Sequence, residues 1–327
     1  MLKRLTAHFV LSVLICLLAV SSLAQEKQEK IDLEMITRIR YEGFHNSKIM
    51  EIASGLMDGI GERLTGSPNM KRANEWTRDQ LTAFGLSNSH LETWGPFGRG
   101  WANDYINVRM VTPDITPLIA YAKAWTPGTN GEVRAQVVRV NIAGPPDLAK
   151  YKGKLEGKIV LIGDDPDVKA STDPLSSRYS EKSLADINQY QIPGERNDAR
   201  FREFAGRARA QRQIVKFFED EKVVALIDHS RGAIGGGTVF VQQGGSYKVG
   251  QTSNVTQITI AVEHWTRIAR LLNQKKTVEL ELNVRNNFYD DAMTQSDTIA
   301  EIPGTDKKDE VVMLGAPGFV AHRHRRH

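Results

Sequence analysis

The chain has 327 residues, 43 Lys and Arg against 39 Asp and Glu, a formal net charge of +4, a sequence pI near 9.0 and one cysteine. Lys3, Arg4, Arg323, Arg325 and Arg326 lie at the two ends, and setting these five aside leaves 38 basic against 39 acidic side chains. A body so close to neutral, with no Lys/Arg block interleaved with aromatics, carries no nucleic-acid footprint, and a single cysteine excludes a disulfide framework.

Residues 1–24 read as a secretory signal peptide: Lys3 and Arg4, an apolar run from Phe9 to Val20, then Ser22-Leu23-Ala24 before Gln25. The run is too short and wrongly flanked for a membrane span. Cys16 lies inside it behind Ile15, a poor lipoprotein context, so the mature chain is expected to be secreted or periplasmic, without a membrane span or a thiol. The remaining length has room for two domains.

Ser47 is placed to cap a helix with apolar residues at Ile49, Ile52, Leu56 and Ile60. A second helix takes Ser67 as N-cap and Pro68 at its first position, where the missing N–H costs nothing; Met70, Ala73, Trp76 or Thr77, Leu81 and Phe84 form its buried face, and Gly85 stops it. Strands follow at Ser89–Trp94 and Ile106–Val111, joined by the Gly/aromatic loop GPFGRGW. Pro113, Pro117, Pro127 and Gly128 mark a boundary. Beyond it, Val133–Val140 alternates like a half-exposed strand, Ile159–Ile162 is a short buried run, and Asp164–Pro193 reads as a long surface loop. Ala199–Glu221 is predicted helical with Phe201, Phe204, Ala208, Ile214, Val215 and Phe218 mostly on one face, leading into a buried strand at Val223–Ile227. A strand at Gln257–Val262, a helix at Glu263–Leu272 and a strand at Val278–Val284 complete the unit. Ile299–Ile302 and Val311–Leu314 read as two neighbouring, half or fully buried strands across a Pro-Gly turn. After Ala316 the composition changes to alternating His and Arg.

The segment EIPGTDKKDEVVMLGA (301–316) resembles the stretch that leads into the first metal ligand of the carboxypeptidase Q-like (plasma glutamate carboxypeptidase) family of two-zinc exopeptidases. The family usually has Asn before the strand, where this chain has Asp297-Thr298. ERLTGSP (62–68) resembles the loop that begins the helix covering that family's catalytic sheet. YKGKLEGKIVLI (151–162), VVALIDHSRG (223–232) and GGGTVFVQ (235–242) resemble the protease-associated domain that members carry as an insertion. The resemblance implies an α/β chain: an incomplete zinc-exopeptidase domain of the phosphorylase/hydrolase-like kind, residues 31–113 and 286–316, interrupted by a protease-associated β/α domain, residues 114–285. It implies two zinc ions and peptide substrates for the intact family, with no cofactor in this chain; oligomeric state is not readable.

The family motif continues roughly as GAHLDSWHTGTGATDNAAG, whereas here Pro317 and Gly318 stand where His and Leu would be. Codons for Gly318 to Arg326 can be chosen as GGA TTC GTG GCA CAC CGG CAC CGG CGC. Read from the second base they give GAT TCG TGG CAC ACC GGC ACC GGC, which encodes DSWHTGTG. Loss of AT from GCC CAT CTG GAT yields Ala316, Pro317 and Gly318. Residues 317–327 are therefore expected to be an out-of-frame tail, and the chain an N-terminal fragment inactive by itself. The competing classes are a His/Arg tail that binds metal or polyanion and a non-catalytic protease-associated binding module.

No catalytic, cofactor-binding or metal-binding residue is assigned. Glu62, Arg63 and Ser67 are explained by helix capping and a solvated ion pair. Gly235-Gly236-Gly237 opens no helix that could hold a phosphate. Asp228-His229-Ser230 contains the letters of a triad, but neighbours on an extended chain point in different directions. His45, His90 and His264 lack a second ligand at helical or strand spacing, and Asp290-Asp291 reads as a solvated turn.

Overall fold

The computed structural model describes residues 31–168, 177–188, 198–230, 237–240, 242–251, 253–291, 293–306 and 308–315. The expected signal peptide, Gly235 and Gly236, and the tail 317–327 lie outside the described residues. The chain divides into two compact units, Met1–Gly59 and Ile60–His327.

In the first unit, α1 (Leu33–His45) starts from Asp32, whose carboxylate accepts the Met35 N–H at 2.9 Å. α2 (Ile49–Ser54) runs into a π-helical turn, Gly55–Ile60. The cap expected at Ser47 is not formed: Lys48 is the N-cap, and the Ser47 hydroxyl accepts only a long contact of 3.4 Å from Ile49 N. None of these helical segments buries a residue.

The second unit begins with α3 (Pro68–Ala83), capped by Ser67, whose Oγ accepts the Met70 N–H at 3.2 Å. Met70 and Ala73 are its buried residues. Phe84 is a correction, since it lies past the helix at the C-cap and is 49 % exposed. α3 covers a two-stranded antiparallel sheet of β1 (Ser87–Trp94) and β10 (Gln295–Glu301), with Leu91 opposite Thr298. Asn74 fastens helix to strand, donating to Ser296 O at 2.7 Å. Val311–Leu314 is not a strand, and its four side chains are 82–96 % exposed. Apolar content gave that segment its strand signal, but strands need partners, and none pairs with it among the described residues.

Between β1 and β10 the chain makes one excursion, residues 95–294, containing an eight-stranded mixed sheet. Its strands are β2 (Gly100–Thr112), β3 (Thr116–Pro117), β4 (Ala120–Ala122), β5 (Glu132–Val140), β6 (Ile159–Ile162), β7 (Ala225–His229), β8 (Thr256–Ile260) and β9 (Glu279–Tyr289). The order is β3-β2-β9-β5-β6-β7-β8-β4, with β5 to β8 mutually parallel. β2 and β9 pair antiparallel from Gly100–Tyr289 to Thr112–Glu279, so one sheet runs across both Pro113 and Arg285.

The two ends of that order are joined by a single short segment. Thr116 and Pro117 pair with β2, and the Leu118 N–H donates to Val108 O at 2.9 Å. Ala120–Ala122 pairs with β8, and the Ala261 N–H donates to Ile119 O at 2.9 Å. The sheet thereby closes on itself, and the segment covers part of each edge strand: Arg109 and Met110 of β2, and Ile258–Ile260 of β8.

Inside lies one core of Trp101, Met110, Trp125, Ile159, Ile227, Ile258, Leu280 and their neighbours, completed by Trp265, Ile268 and Ala269 of α6 (Val262–Asn273). A smaller core of Val140, Leu155, Val160, Phe218 and Leu226 lies under α5 (Asp198–Asp220). β6 is buried on both faces, as its unbroken Ile-Val-Leu-Ile run requires. The loop expected at 164–193 contains a helix, α4 (Glu181–Asn188), and the side chains of Phe201 and Phe204 lie outside the described residues.

Removing the Ser67 hydroxyl takes away one of two acceptors of the buried Met70 N–H, which also donates to Ser67 O at 3.1 Å. Ser67→Ala is expected to cost about 1 kcal/mol of stability by denaturant unfolding, with the slope of the transition unchanged.

Candidate functional site

In parallel sheets, ligands bind beyond the carboxyl ends of the strands. Here those ends are Val140, Ile162, His229 and Ile260, and a buried ion pair lies beside them.

Asp228 and Lys123 form an ion pair of 2.5 Å with side chains only 11 % and 10 % exposed. Lys123 leaves β4, Asp228 belongs to β7, and Thr259 of β8 is the register partner of Asp228. Asp228 Oδ1 and Thr259 Oγ1 are buried without a hydrogen-bond partner. Gly244 allows the 242–245 loop to lie on the pair: a Cβ there would sit 2.8 Å from Lys123 Cβ. A pair so desolvated holds its geometry only while both partners remain.

The three residues of the apparent triad are dispersed, as their adjacency on a strand dictates. The Asp228 carboxylate goes to Lys123, Ser230 Oγ accepts the Phe240 N–H at 2.6 Å, and His229 turns edge-on to Trp265, ring centroids 5.2 Å apart. No nucleophile–base–acid relay exists among them.

Glu62 accepts a short hydrogen bond from the Tyr121 hydroxyl, and burial pushes its carboxyl above the usual carboxylate range. Arg63 donates to Gly61 O at 2.6 Å. His45 stacks on Tyr41, His90 Nδ1 lies 2.6 Å from Asn88 O, and burial pushes the His264 imidazole down. Asp290 is exposed but holds Arg99, whose guanidinium lies 4.2 Å from the Phe288 ring centroid. Among the described residues there is no group of three or more His, Cys, Asp or Glu that could hold a metal ion. The described residues therefore do not offer the donor set of a two-zinc centre, which needs several His and carboxylate ligands and a general base.

A separate open cleft of about 550 Å³ is lined by Asp104, Gly128, Thr129, Asn130 and Val284–Asn287. A β-bulge at Asp104 shapes it, because the pairing steps from Asn103–Asn286 to Tyr105–Arg285. Its polar groups largely satisfy one another: Asn287 donates to Asp104, and Asn103 donates to Asn286 Oδ1 at 2.7 Å. Sequence reasoning did not find the cleft or the Lys123–Asp228 pair, because both join residues far apart in the chain.

No protein-family model matches the sequence, and no curated protein matches it either. Among solved structures, a peptidase M28 precursor from Shewanella amazonensis SB2B aligns with a TM-score of 0.52 and 20 % identity, covering 85 % of this chain and 55 % of its own. The chain shares this peptidase's fold. An aminopeptidase from Aneurinibacillus sp. strain AM-1 aligns at 0.38 with 16 % identity, and BSAP, a zinc aminopeptidase from Bacillus subtilis, at 0.42 with 11 %; each alignment covers 79 % of this chain, and 49 % and 47 % of the respective partner. The chain thus spans about half the length of the solved structures it matches.

Lys123→Met leaves the Asp228 carboxylate buried and unpaired, and is expected to cost about 3–5 kcal/mol by denaturant unfolding. The double variant Lys123→Met/Asp228→Leu should recover most of that loss.

Because the folded Glu62 carboxyl titrates above its unfolded value, its contribution to stability is complete below the unfolded value of 4.5 and is lost as pH rises through the folded one. The melting temperature of Glu62→Gln, relative to the native chain, is accordingly expected to be higher at pH 7 than at pH 4.

Proposed function

We propose that the chain is the amino-terminal part of an exported zinc metallo-exopeptidase of carboxypeptidase Q-like kind, acting on peptides or dipeptides, and that it has no peptidase activity by itself. The observation that carries this reading is the fold likeness to the M28 peptidase precursor, which takes in 85 % of this chain but 55 % of that one. The sequence supports the finer part: the resemblance runs through Ala316 and stops where a first zinc ligand is due, and DSWHTGTG lies in the neighbouring frame of codons 318–326. Among the described residues no group of ligands makes a metal centre, and no catalytic step is assigned to them.

The excursion between β1 and β10 plays the part of the inserted protease-associated domain. Its extent in this reading is 95–294 rather than 114–285, because β2 and the outer half of β9 belong to the closed sheet. Residues 1–24 direct export, and among the described residues no helix is long and apolar enough to cross a membrane.

The test has two arms. The purified chain supplied with zinc should hydrolyse no dipeptide above background. The nucleotide sequence past codon 316, read in the shifted frame, should continue as DSWHTGTGATDNAAG, and a gene with the two bases restored should yield a zinc-dependent exopeptidase. Turnover by the chain as it stands, or a downstream frame without that continuation, overturns the reading.

A further inference from the structure

Arg139 and His229 reach the same indole from two strands. The Arg139 guanidinium lies 5.0 Å from the Trp265 ring centroid, and the His229 ring meets that indole edge-on at 79°. The Trp265 Nε1–H donates to Ile162 O at 3.1 Å, which fixes the indole that both side chains meet. Gly163, the first residue after β6, has φ +113 and presents no side chain to this space. A Cβ built on it would lie 3.5 and 3.6 Å from the His229 ring and 3.9 Å from Trp265.

Arg139 is incompletely satisfied. Its side chain is 14 % exposed, and its Nε is buried without a hydrogen-bond partner. Its carboxylate partner, Asp165, is 71 % exposed and sits 3.0 Å from Nη2. Leaving a buried charged donor unmade is costly, whereas an ion pair with so exposed a partner contributes little. A carboxylate free of the chain can accept from Nε and Nη2 together, the two-point geometry that guanidinium favours. Asp165, as placed, reaches one of those two donors.

We propose that the carboxyl ends of β5, β6 and β7 form a carboxylate-binding site, in which Arg139 holds the ligand by its Nε–Nη2 edge against Trp265, His229 supplies a second donor, and Asp165 occupies part of the ligand's place in its absence. The ligand class is a small organic acid or the terminal carboxylate of a peptide. The inference stands on this geometry alone and not on the exopeptidase reading.

The test is calorimetric titration of the full chain with N-acetylglycine, with N-acetylglycinamide as the uncharged control. Saturable binding of the acid and none of the amide is expected. Arg139→Gln should weaken binding about tenfold or more, the loss of a charge-assisted hydrogen bond pair. Asp165→Asn, which removes the competing carboxylate from an exposed loop, should tighten it by about threefold, the scale of an exposed ion pair. The gain in Asp165→Asn keeps the test decisive should Arg139→Gln fail to fold. Absence of binding in both the native chain and Asp165→Asn, or weaker or unchanged affinity in Asp165→Asn, overturns the proposal. Tighter binding of inorganic phosphate than of N-acetylglycine overturns its assignment to carboxylates.

Discussion

The second unit depends on one constraint: residues 116–122 must pair with β2 on one side and β8 on the other. An eight-stranded sheet left open would present two rows of unpaired N–H and C=O groups. At the corner the two-residue strand carries Pro117, which has no N–H to leave unpaired. Closure turns the inward faces of the strands toward one another, so that Met110 of β2 and Ile258 of β8, far apart in the strand order, share a core. α6 completes that core, because its apolar residues at 262, 265, 268 and 269 fall on one face.

What the sequence disclosed follows from what local periodicity can encode. The Ser67-Pro68 start of α3, the run at Ile159–Ile162 and the α6 stripe are local signals, and each appears in the structure close to its expected bounds. No helix is expected over α1, whose apolar residues are all exposed in the structure. The reach of β2 and β9 could not be read locally. Asn283, Asn286 and Asn287 are poor strand formers by composition, and only the ladder to β2 makes them strand. Val311–Leu314 shows the converse: strong β-propensity with no partner strand among the described residues gives no strand. The candidate site was the least legible part, because Lys123 and Asp228 are 105 positions apart, and Arg139, His229 and Trp265 come from three separate elements.

The polar groups at the carboxyl ends of β5–β8 differ in how far they are satisfied. Lys123 and Asp228 are paired and enclosed, so their desolvation is offset only by each other, and Asp228 Oδ1 remains without a partner. Such a pair fixes how β4 meets β7 across β8 more than it adds stability. Arg139 is buried as deeply but paired with a carboxylate that water can reach. Of the two, the first is built to stay as it is and the second to exchange its partner.

The base of the excursion is held as firmly as its core. Phe97 and Tyr247 stack 4.8 Å apart at 8°, tying the β1–β2 loop to the loop before β8. The Arg99 N–H donates to Tyr247 O at 2.8 Å, and Trp125 Nε1–H donates to Arg99 O at 2.9 Å. This approach requires glycine at 98, where φ is +137 and a Cβ would stand 2.4 Å from Tyr247 O. The outgoing and returning strands of the excursion are joined in turn by the Phe97 N–H donating to Met293 O at 2.7 Å. Two peptide linkers alone would let the closed sheet swing against β1 and β10. Backbone hydrogen bonds across both linkers, reinforced by stacked rings, instead make the excursion a fixed extension of the two-stranded sheet.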